Sequence, residues 1–567
     1  MNRNRIPPAP PKVAWCWLLL TAALFSAAAV PAAAPRHAAI ASAHYRATAA
    51  GHEILEAGGN AFDAAVAVAA TLAVVEPSSS GLGGGAFYLL HRASDGKIVM
   101  IDGRETAPAA AHRDMYLDDN GDVDRDLAVN GPLAAGIPGQ PAALVWLAEH
   151  YGRLPLTKSL APAIRIARDG FAVDDKYRAL LAGRRTVMQR WPAASEIFLA
   201  AGEVPAAGAL IRQEDLARTL ELLAAEGVAG FYRGRFAAHL VAGVRAAGGI
   251  WTSDDLARYT VKEREPLVID YRGYRVITAP PPSSGGIALA EILNIVEPYP
   301  LDAMGKVPRA HLLVEAMRRA YRDRSIYLGD PDFVAVPQRL LLSKDYAAGL
   351  RAAIRLDRAT PSDLIAGFAD APKGTDTTHF SLLDRDGNLV AGTLTVNLPY
   401  GSAFMAPGSG FLLNNEMDDF SAKAGAPNAF GLLGYTANAI EPGKRMLSSM
   451  SPTIVVGPQR TAVLGTPGGS RIITMVLLGV LDFVAGHGPQ SWVALPRFHH
   501  QYYPDEIGAE PDAFDNAERA ALEALGHIVN AGGRTWGNMH GVMWDRATGE
   551  VSAASDPRWA AGKAEVR

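Results

Sequence analysis

The sequence predicts an α+β layered fold, on three observations. First, residues 379–384 alternate polar and apolar, Arg385-Asp386-Gly387-Asn388 is a turn signal, and residues 389–396 are rich in β-formers, so the segment predicts a hairpin. Second, residues 61–75 are apolar on most faces, which predicts a helix buried all round. Third, the predicted strands gather beside runs of helix, the pattern of stacked layers rather than of a strictly alternating parallel sheet.

The elements follow in chain order. Helices are predicted over 51–57 and 61–75. The second is too short, and too closely bounded by Asp63 and Glu76, to span a bilayer. Residues 86–91 and 98–102 predict a strand pair around the Asp95-Gly96 turn. Helices are expected over 141–151, 158–170, 215–226, 231–247, 287–296 and 309–328. After the 379–396 hairpin, strands are expected near 410–413, 453–456 and 461–464, then a helix over 471–485 and terminal strands ending near 543–544.

Composition bounds the compartment and the partner. Arg3, Arg5 and Lys12 precede a small, apolar run over 13–30, and Val30-Pro31-Ala32 offers small residues for cleavage. This predicts a removable export signal over 1–32, hence a periplasmic or secreted protein; a retained membrane anchor is the alternative. Cys16 is the single cysteine, so a chain beginning near Ala33 has no disulfide, thiolate metal site or cysteine nucleophile. The 54 Lys+Arg against 58 Asp+Glu give a net charge of -4 without a long basic run, which points away from nucleic acid and anionic membranes and towards a small-molecule partner.

Thr377 would begin the first strand of the hairpin. A threonine hydroxyl is a poor nucleophile without an adjacent base, and one solution is a threonine at a chain N-terminus, whose own α-amine, titrating near pH ~8, is that base. This requires the Asp376–Thr377 bond to be cut. Taken alone, Thr377-Thr378 at a strand start is more readily what β-propensity produces.

The order of motifs bears on that choice. Thr377-Thr378-His379, Thr395-Val396-Asn397, Asn414-Asn415-Glu416-Met417-Asp418-Asp419-Phe420, Ser448-Ser449-Met450-Ser451-Pro452-Thr453 and Pro467-Gly468-Gly469-Ser470-Arg471 resemble the γ-glutamyltranspeptidases. So do Gly58-Gly59-Asn60-Ala61-Phe62-Asp63, Leu82-Gly83-Gly84-Gly85, Arg104-Glu105-Thr106-Ala107-Pro108 and Pro280-Pro281-Pro282-Ser283-Ser284-Gly285-Gly286. The resemblance runs from about Ala39 to the C-terminus. It implies a four-layer αββα sandwich of the N-terminal-nucleophile hydrolases, with a large fragment, 33–376, and a small one, 377–567, forming one globular unit after self-cleavage between Asp376 and Thr377. Thr377 would then attack γ-glutamyl amides such as glutathione, and the acyl-enzyme would pass to water or to an amino acid or dipeptide. Thr395 matches the threonine supporting the nucleophile, and Gly468 and Gly469 the oxyanion hole. Arg104, with the Ser448 and Ser449 hydroxyls, would hold the α-carboxylate of the donor, and Asp419, Glu416 and Asn397 its α-ammonium. No cofactor or metal is implied.

One position departs from the pattern. In the covering loop several bacterial relatives carry tyrosine, whereas this chain has Phe430, so a hydroxyl bond to the opposite wall is lost and looser gating is expected. Two alternatives remain: an acylase of the same superfamily for glutaryl or cephalosporin-type amides, against which Asp419, Glu416 and the loop argue, and an unprocessed binding homologue. Other motifs carry little. Gly81-Leu82-Gly83-Gly84-Gly85 follows a helix and precedes a strand, the reverse of a dinucleotide fingerprint. Asp118-Asp119-Asn120-Gly121 lacks calcium ligands at its first and last positions, Tyr116 and Leu127. His499-His500 lacks ligand spacing, and no G-x-S-x-G elbow occurs.

Overall fold

The computed structural model describes residues 33–365 and 377–567. The predicted export signal and Asp376 therefore lie outside the described residues. Thirteen strands form the two sheets that position the site: β1 (Ala39–Ser42), β2 (Gly85–Arg92), β3 (Lys97–Gly103), β4 (Lys262–Arg264), β5 (Leu267–Tyr271), β6 (Tyr274–Thr278), β7 (Thr378–Leu383), β8 (Leu389–Thr395), β9 (Thr453–Val456), β10 (Arg460–Gly465), β11 (His540–Asp545), β12 (Val551–Ser555) and β13 (Lys563–Val566). The first sheet runs β13-β1-β7-β8-β2-β3-β4 and the second β12-β11-β10-β9-β6-β5. Every neighbouring pair is antiparallel.

Alternation along the central strands makes the layers. Tyr88 and Leu90 of β2 and Val390 of β8 enter one core with Phe62, Val66 and Val68, whereas Phe87, Leu89 and Ala391 enter a second core with Ile277, Ile454 and Val463 of the other sheet. Helices α1 (Tyr45–Glu56) and α2 (Ala61–Val75) cover the outer face of the first sheet. Helices α3 (Gly285–Val296), α4 (Lys306–Tyr327) and α5 (Ile472–Val484) contribute to the second core. This is the αββα sandwich. Every residue of α2 is buried, so no polar stripe is possible; its start is fixed by a capping box in which Asn60 accepts from Asp63 N and the Asp63 carboxylate accepts from Asn60 N.

The hairpin register is set by its turn. Asp384 Oδ1 accepts from the amides of Asp386 (3.0 Å) and Asn388 (2.9 Å), and Oδ2 accepts from Asn388 Nδ2 (2.7 Å) and Ala61 N (2.8 Å). Gly387 closes the turn at φ 87°. Leu394 then pairs with Thr378.

Other expectations differ at their ends. The helix expected over 231–247 is two, Val228–Tyr232 and Gly234–Ala246, because Arg233 is extended (φ -138°, ψ 173°) and Gly234 left-handed (φ 69°). No strand forms at 410–413. Gly410 (φ 80°) packs against the backbone of 215–216, where a Cβ would collide with Leu216 N, and Leu413 makes only an isolated bridge to Gly83. The terminal strands continue beyond 543–544 as β12 and β13.

Candidate active site

Thr377 sits one residue before β7, abreast of Thr395 at the end of β8, so the hairpin brings the two threonines together; both are buried, Thr377 being 3 % exposed. Thr378 Oγ1 donates to Glu76 Oε2 (2.8 Å), whose other oxygen meets Lys176 Nζ at 2.5 Å. Burial raises the Glu76 carboxyl, but Lys176 and the hydrogen bonds outweigh it, leaving it below the ordinary range. His379 is no base for Thr377. Burial holds its pKa well below 6.5, and its ring nitrogens bond Thr393 Oγ1 (2.8 Å) and Ser381 Oγ (3.1 Å).

Asn397 reverses the chain after β8 in a left-handed conformation (φ 75°), its amide donating to Thr395 Oγ1 at 2.7 Å. Its Nδ2 donates to Asn415 O (2.9 Å), which leaves Oδ1 as the atom able to accept from an ammonium.

Arg104 follows β3 and is fully buried. Its guanidinium donates to Met446 O (3.2 Å), Asp419 Oδ2 (2.5 Å) and Glu416 Oε1, and Glu105 lies 3.6 Å away. The residues expected to hold opposite charges of a ligand thus hold one another. Burial disfavours the Arg104 charge, but the Glu416, Asp419 and Glu105 carboxyls more than offset it. With three carboxyls to one guanidinium, burial and then carboxylate repulsion push Glu416 up to about 7 and raise Glu105, and burial raises Asp419 as well.

Ser448 is locked by main-chain bonds: its amide donates to Pro282 O (2.8 Å) and its carbonyl accepts from Ser284 N (2.8 Å) and Oγ (2.7 Å). Beside it, Arg324 donates to Ser284 Oγ (3.0 Å) and lies 3.5 Å from Ser449 Oγ. Among the described residues Arg324 makes no ion pair, and burial lowers its pKa to about 10. Sequence reading missed it, because an arginine in the α4 run RRAYRDRS reads as an ordinary charged helix face.

Gly468 (φ 145°) and Gly469 (φ 57°) form the turn into α5, conformations that L side chains rarely adopt. Among the described residues neither amide donates a hydrogen bond, so two N–H groups are unspent at a helix start. A Cβ on Gly469 would run into the Phe430 ring. Phe430 is 5 % exposed; its carbonyl accepts from Gln501 Nε2 (3.2 Å), and Asn428 Nδ2 ties the loop to Asp419 Oδ1 (3.2 Å). The loop is therefore tethered through main chain and amides rather than a hydroxyl. Gln501 and Asn428 were not legible, since long-range pairing gives them their roles.

Thr377, Thr395, Asn397, Glu416, Asp419, Phe430, Ser448, Ser449 and Gly469 line one cavity of about 20 Å³, room for about one water. Arg104 stands directly behind Glu416 and Asp419, and Gly468 faces a neighbouring cavity. His499 and His500 are occupied by Thr474, Gln501 and Asp505. Among the described residues one group, His311, Glu315 and His527, has metal-ligand proximity, but Glu315 is taken by Arg319 (2.7 Å) and Thr360 N (3.0 Å) and the imidazoles bond each other at 2.7 Å.

A threonine before a central strand, a paired threonine and unspent amides at a helix start, within an αββα sandwich, define an N-terminal-nucleophile hydrolase. The family model described as gamma-glutamyltranspeptidase matches residues 47–566, and the chain belongs to that family. It is 45% identical to a glutathione hydrolase proenzyme of Pseudomonas sp. (strain A14), over 86% of this chain and 85% of that one. It is 43% identical to the glutathione hydrolase proenzyme of Escherichia coli (strain K12), over 95% and 96%. The crystal structure of cephalosporin acylase from Bacillus halodurans superposes with a TM-score of 0.82 at 28% identity, covering 100% of this chain and 99% of that one.

Proposed function

We propose that the chain is a self-cleaving γ-glutamyltransferase and glutathione hydrolase, and that Thr377 is its nucleophile. The observation that carries this reading is that Thr377 and Thr395 line one cavity with Gly469 and with the Glu416 and Asp419 carboxyls that Arg104 pairs. In the first reaction Thr377 Oγ1 attacks the carbonyl of Asp376, the acyl group shifts from nitrogen to oxygen, and water hydrolyses the ester. The fragments 33–376 and 377–567 remain one unit, because the first sheet interleaves strands from either side of the cut and the second pairs β9 with β6 across it.

The freed α-amine then takes the proton from Oγ1 as the hydroxyl attacks a γ-glutamyl carbonyl. General-base assistance of this kind contributes ~10²–10⁴-fold. The Gly468 and Gly469 amides receive the oxyanion, each such donor being worth ~10²–10³-fold. The amine leaves with the proton, and water or an incoming amine resolves the ester. The α-carboxylate is held by Arg104 with Ser448 and Ser449, supported by Arg324; the α-ammonium is held by Asp419, Glu416 and Asn397 Oδ1. A zwitterionic donor would compete with the Arg104–Glu416 and Arg104–Asp419 ion pairs for the same charges. Phe430 lines this cavity and is the residue we assign to gating donor entry.

Among the described residues no helix is long and apolar enough to cross a membrane. We assign the mature protein to the periplasm or the outside of the cell on its predicted export signal. Incubation with glutathione, following release of cysteinylglycine, tests the function. Release by the parent and none by Thr395→Ala or Thr377→Ala is expected; turnover of glutaryl amides with none of glutathione would instead establish the acylase reading.

A further inference from the structure

Glu76 stands where a carboxylate is not favoured. It ends α2, its amide donating to Leu72 O (2.8 Å), so its charge lies at the negative end of the helix dipole, and it is buried. Burial alone would neutralise it, yet the Lys176 ammonium and the hydrogen bonds from Lys176 and Thr378 keep it below the ordinary carboxyl range. A buried ion pair of this kind adds little net stability over apolar side chains of similar size, so stability does not account for it.

What the pair reaches is the backbone beside Thr377. Thr378 Oγ1 donates to Glu76 Oε2 at 2.8 Å, and Lys176, in the first turn of the helix Asp175–Ala182, meets Glu76 Oε1 at 2.5 Å. β8 is paired with β7 as far as Thr378, but β1 stops at Phe380. The residues next to Thr377 are therefore held by a neighbouring strand on one edge only, and the Glu76 bond ties Thr378 down through its side chain.

We propose that Glu76 and Lys176 are positioning residues for acyl transfer: through Thr378 Oγ1 the carboxylate fixes the chain that carries Thr377, and the paired ammonium cancels its charge so that the α-amine of Thr377 keeps the basicity of a general base. The inference rests on the reading of Thr377 as the nucleophile.

The surrounding charges support the assignment. On the α2 side stand Glu76, Lys176 and Asp174, the cap of the Lys176 helix. His44 and His540 share this neighbourhood and are neutral near pH 7, burial lowering them to about 4 and about 3, and burial keeps His379 neutral as well. Across the cavity Glu416 and Asp419 are paired with Arg104. An uncompensated carboxylate on the α2 side would favour the ammonium form of the amine, which is no base, whereas an uncompensated ammonium would disfavour it. Lys176 also lines a cavity of about 570 Å³ with Gly468, room enough for water, so it stays charged when the carboxylate is removed.

The test follows hydrolysis of a γ-glutamyl anilide at saturating donor against pH, per mole of cleaved protein counted by intact mass. Saturation separates the Thr377 amine from Glu416, whose titration acts on KM. Glu76→Gln keeps an acceptor for Thr378 Oγ1 and takes the counter-charge from Lys176, so the acid limb of kcat is expected to move down by about one pH unit. Combining it with Lys176→Met, which gives an uncharged pair of similar shape, is expected to return the limb to the parent position. Thr378→Val, which replaces the hydroxyl by a methyl, is expected to lower kcat about tenfold at unchanged KM, with Thr378→Ser keeping the parent value. An acid limb unmoved in Glu76→Gln, or a parent kcat in Thr378→Val, overturns the proposal, and Thr378→Val decides alone if Glu76→Gln does not fold. A parent that neither cleaves itself nor hydrolyses the anilide refutes the nucleophile reading instead.

Discussion

Glu416 shows how one side chain can make donor binding depend on pH. Burial first, and Asp419 beside it, push its carboxyl from the ordinary 4.5 up to about 7 despite Arg104. Below that value it is neutral and repays little to an ammonium; above it, it is a carboxylate. The raised value means that the folded state retains a proton the unfolded chain releases, so this group opposes folding progressively as pH rises from about 4.5 to about 7. We predict that the donor KM falls as pH rises through about 7, and that Glu416→Gln flattens this dependence; a KM profile unchanged by the substitution contradicts the assignment. Arg324 is the other residue with a specific expectation. Arg324→Met should raise donor KM about tenfold through the loss of a charge-assisted contact, with Arg324→Lys recovering part of it. A packing role alone would lower the thermal midpoint and leave KM untouched.

The hairpin and the covering loop are the elements on which the site turns. Asp384 accepts four hydrogen bonds in the turn that sets the β7–β8 register, and a one-residue slip would carry Thr377 away from Thr395. Asp384→Ala is predicted to destabilise the fold by about 2–4 kcal/mol, read as a lower urea midpoint, and to slow chain cleavage. In the covering loop, Phe430→Tyr adds a hydroxyl to a ring that lines the site cavity and should alter turnover of bulky donors more than of small ones; identical kinetics with both would remove gating from the account. The hairpin was legible because alternation and turn chemistry are local. The break at Arg233-Gly234 was not, since an apolar helical pattern continues across it. β1 and β13 were too short to show alternation; β13 forms on β1, and β1 is held between β13 and β7. Thr377, the proposed nucleophile, Thr395 and the glycine turn stand in ordered motifs that a sequence displays, but the mutual pairing of Arg104 with Glu416 and Asp419 depends on segments more than three hundred positions apart, which no local pattern records.

At the scale of the whole molecule, the position of Thr377 inside a central sheet means that cleavage exposes a new terminus without dividing a domain. β1 to β4 precede it in the first sheet, and β7, β8 and β13 follow it. The fragments should therefore elute together at native pH and separate only in denaturant. The measurement that reaches the central claim most directly is the intact mass of the purified protein beside Thr377→Ala, taken under denaturing conditions. The account predicts two species in the parent, the smaller beginning at Thr377, and one uncut chain in the variant. A single uncut chain in both would mean that the nucleophile is never unmasked, and the protein would then be a binding homologue rather than an enzyme.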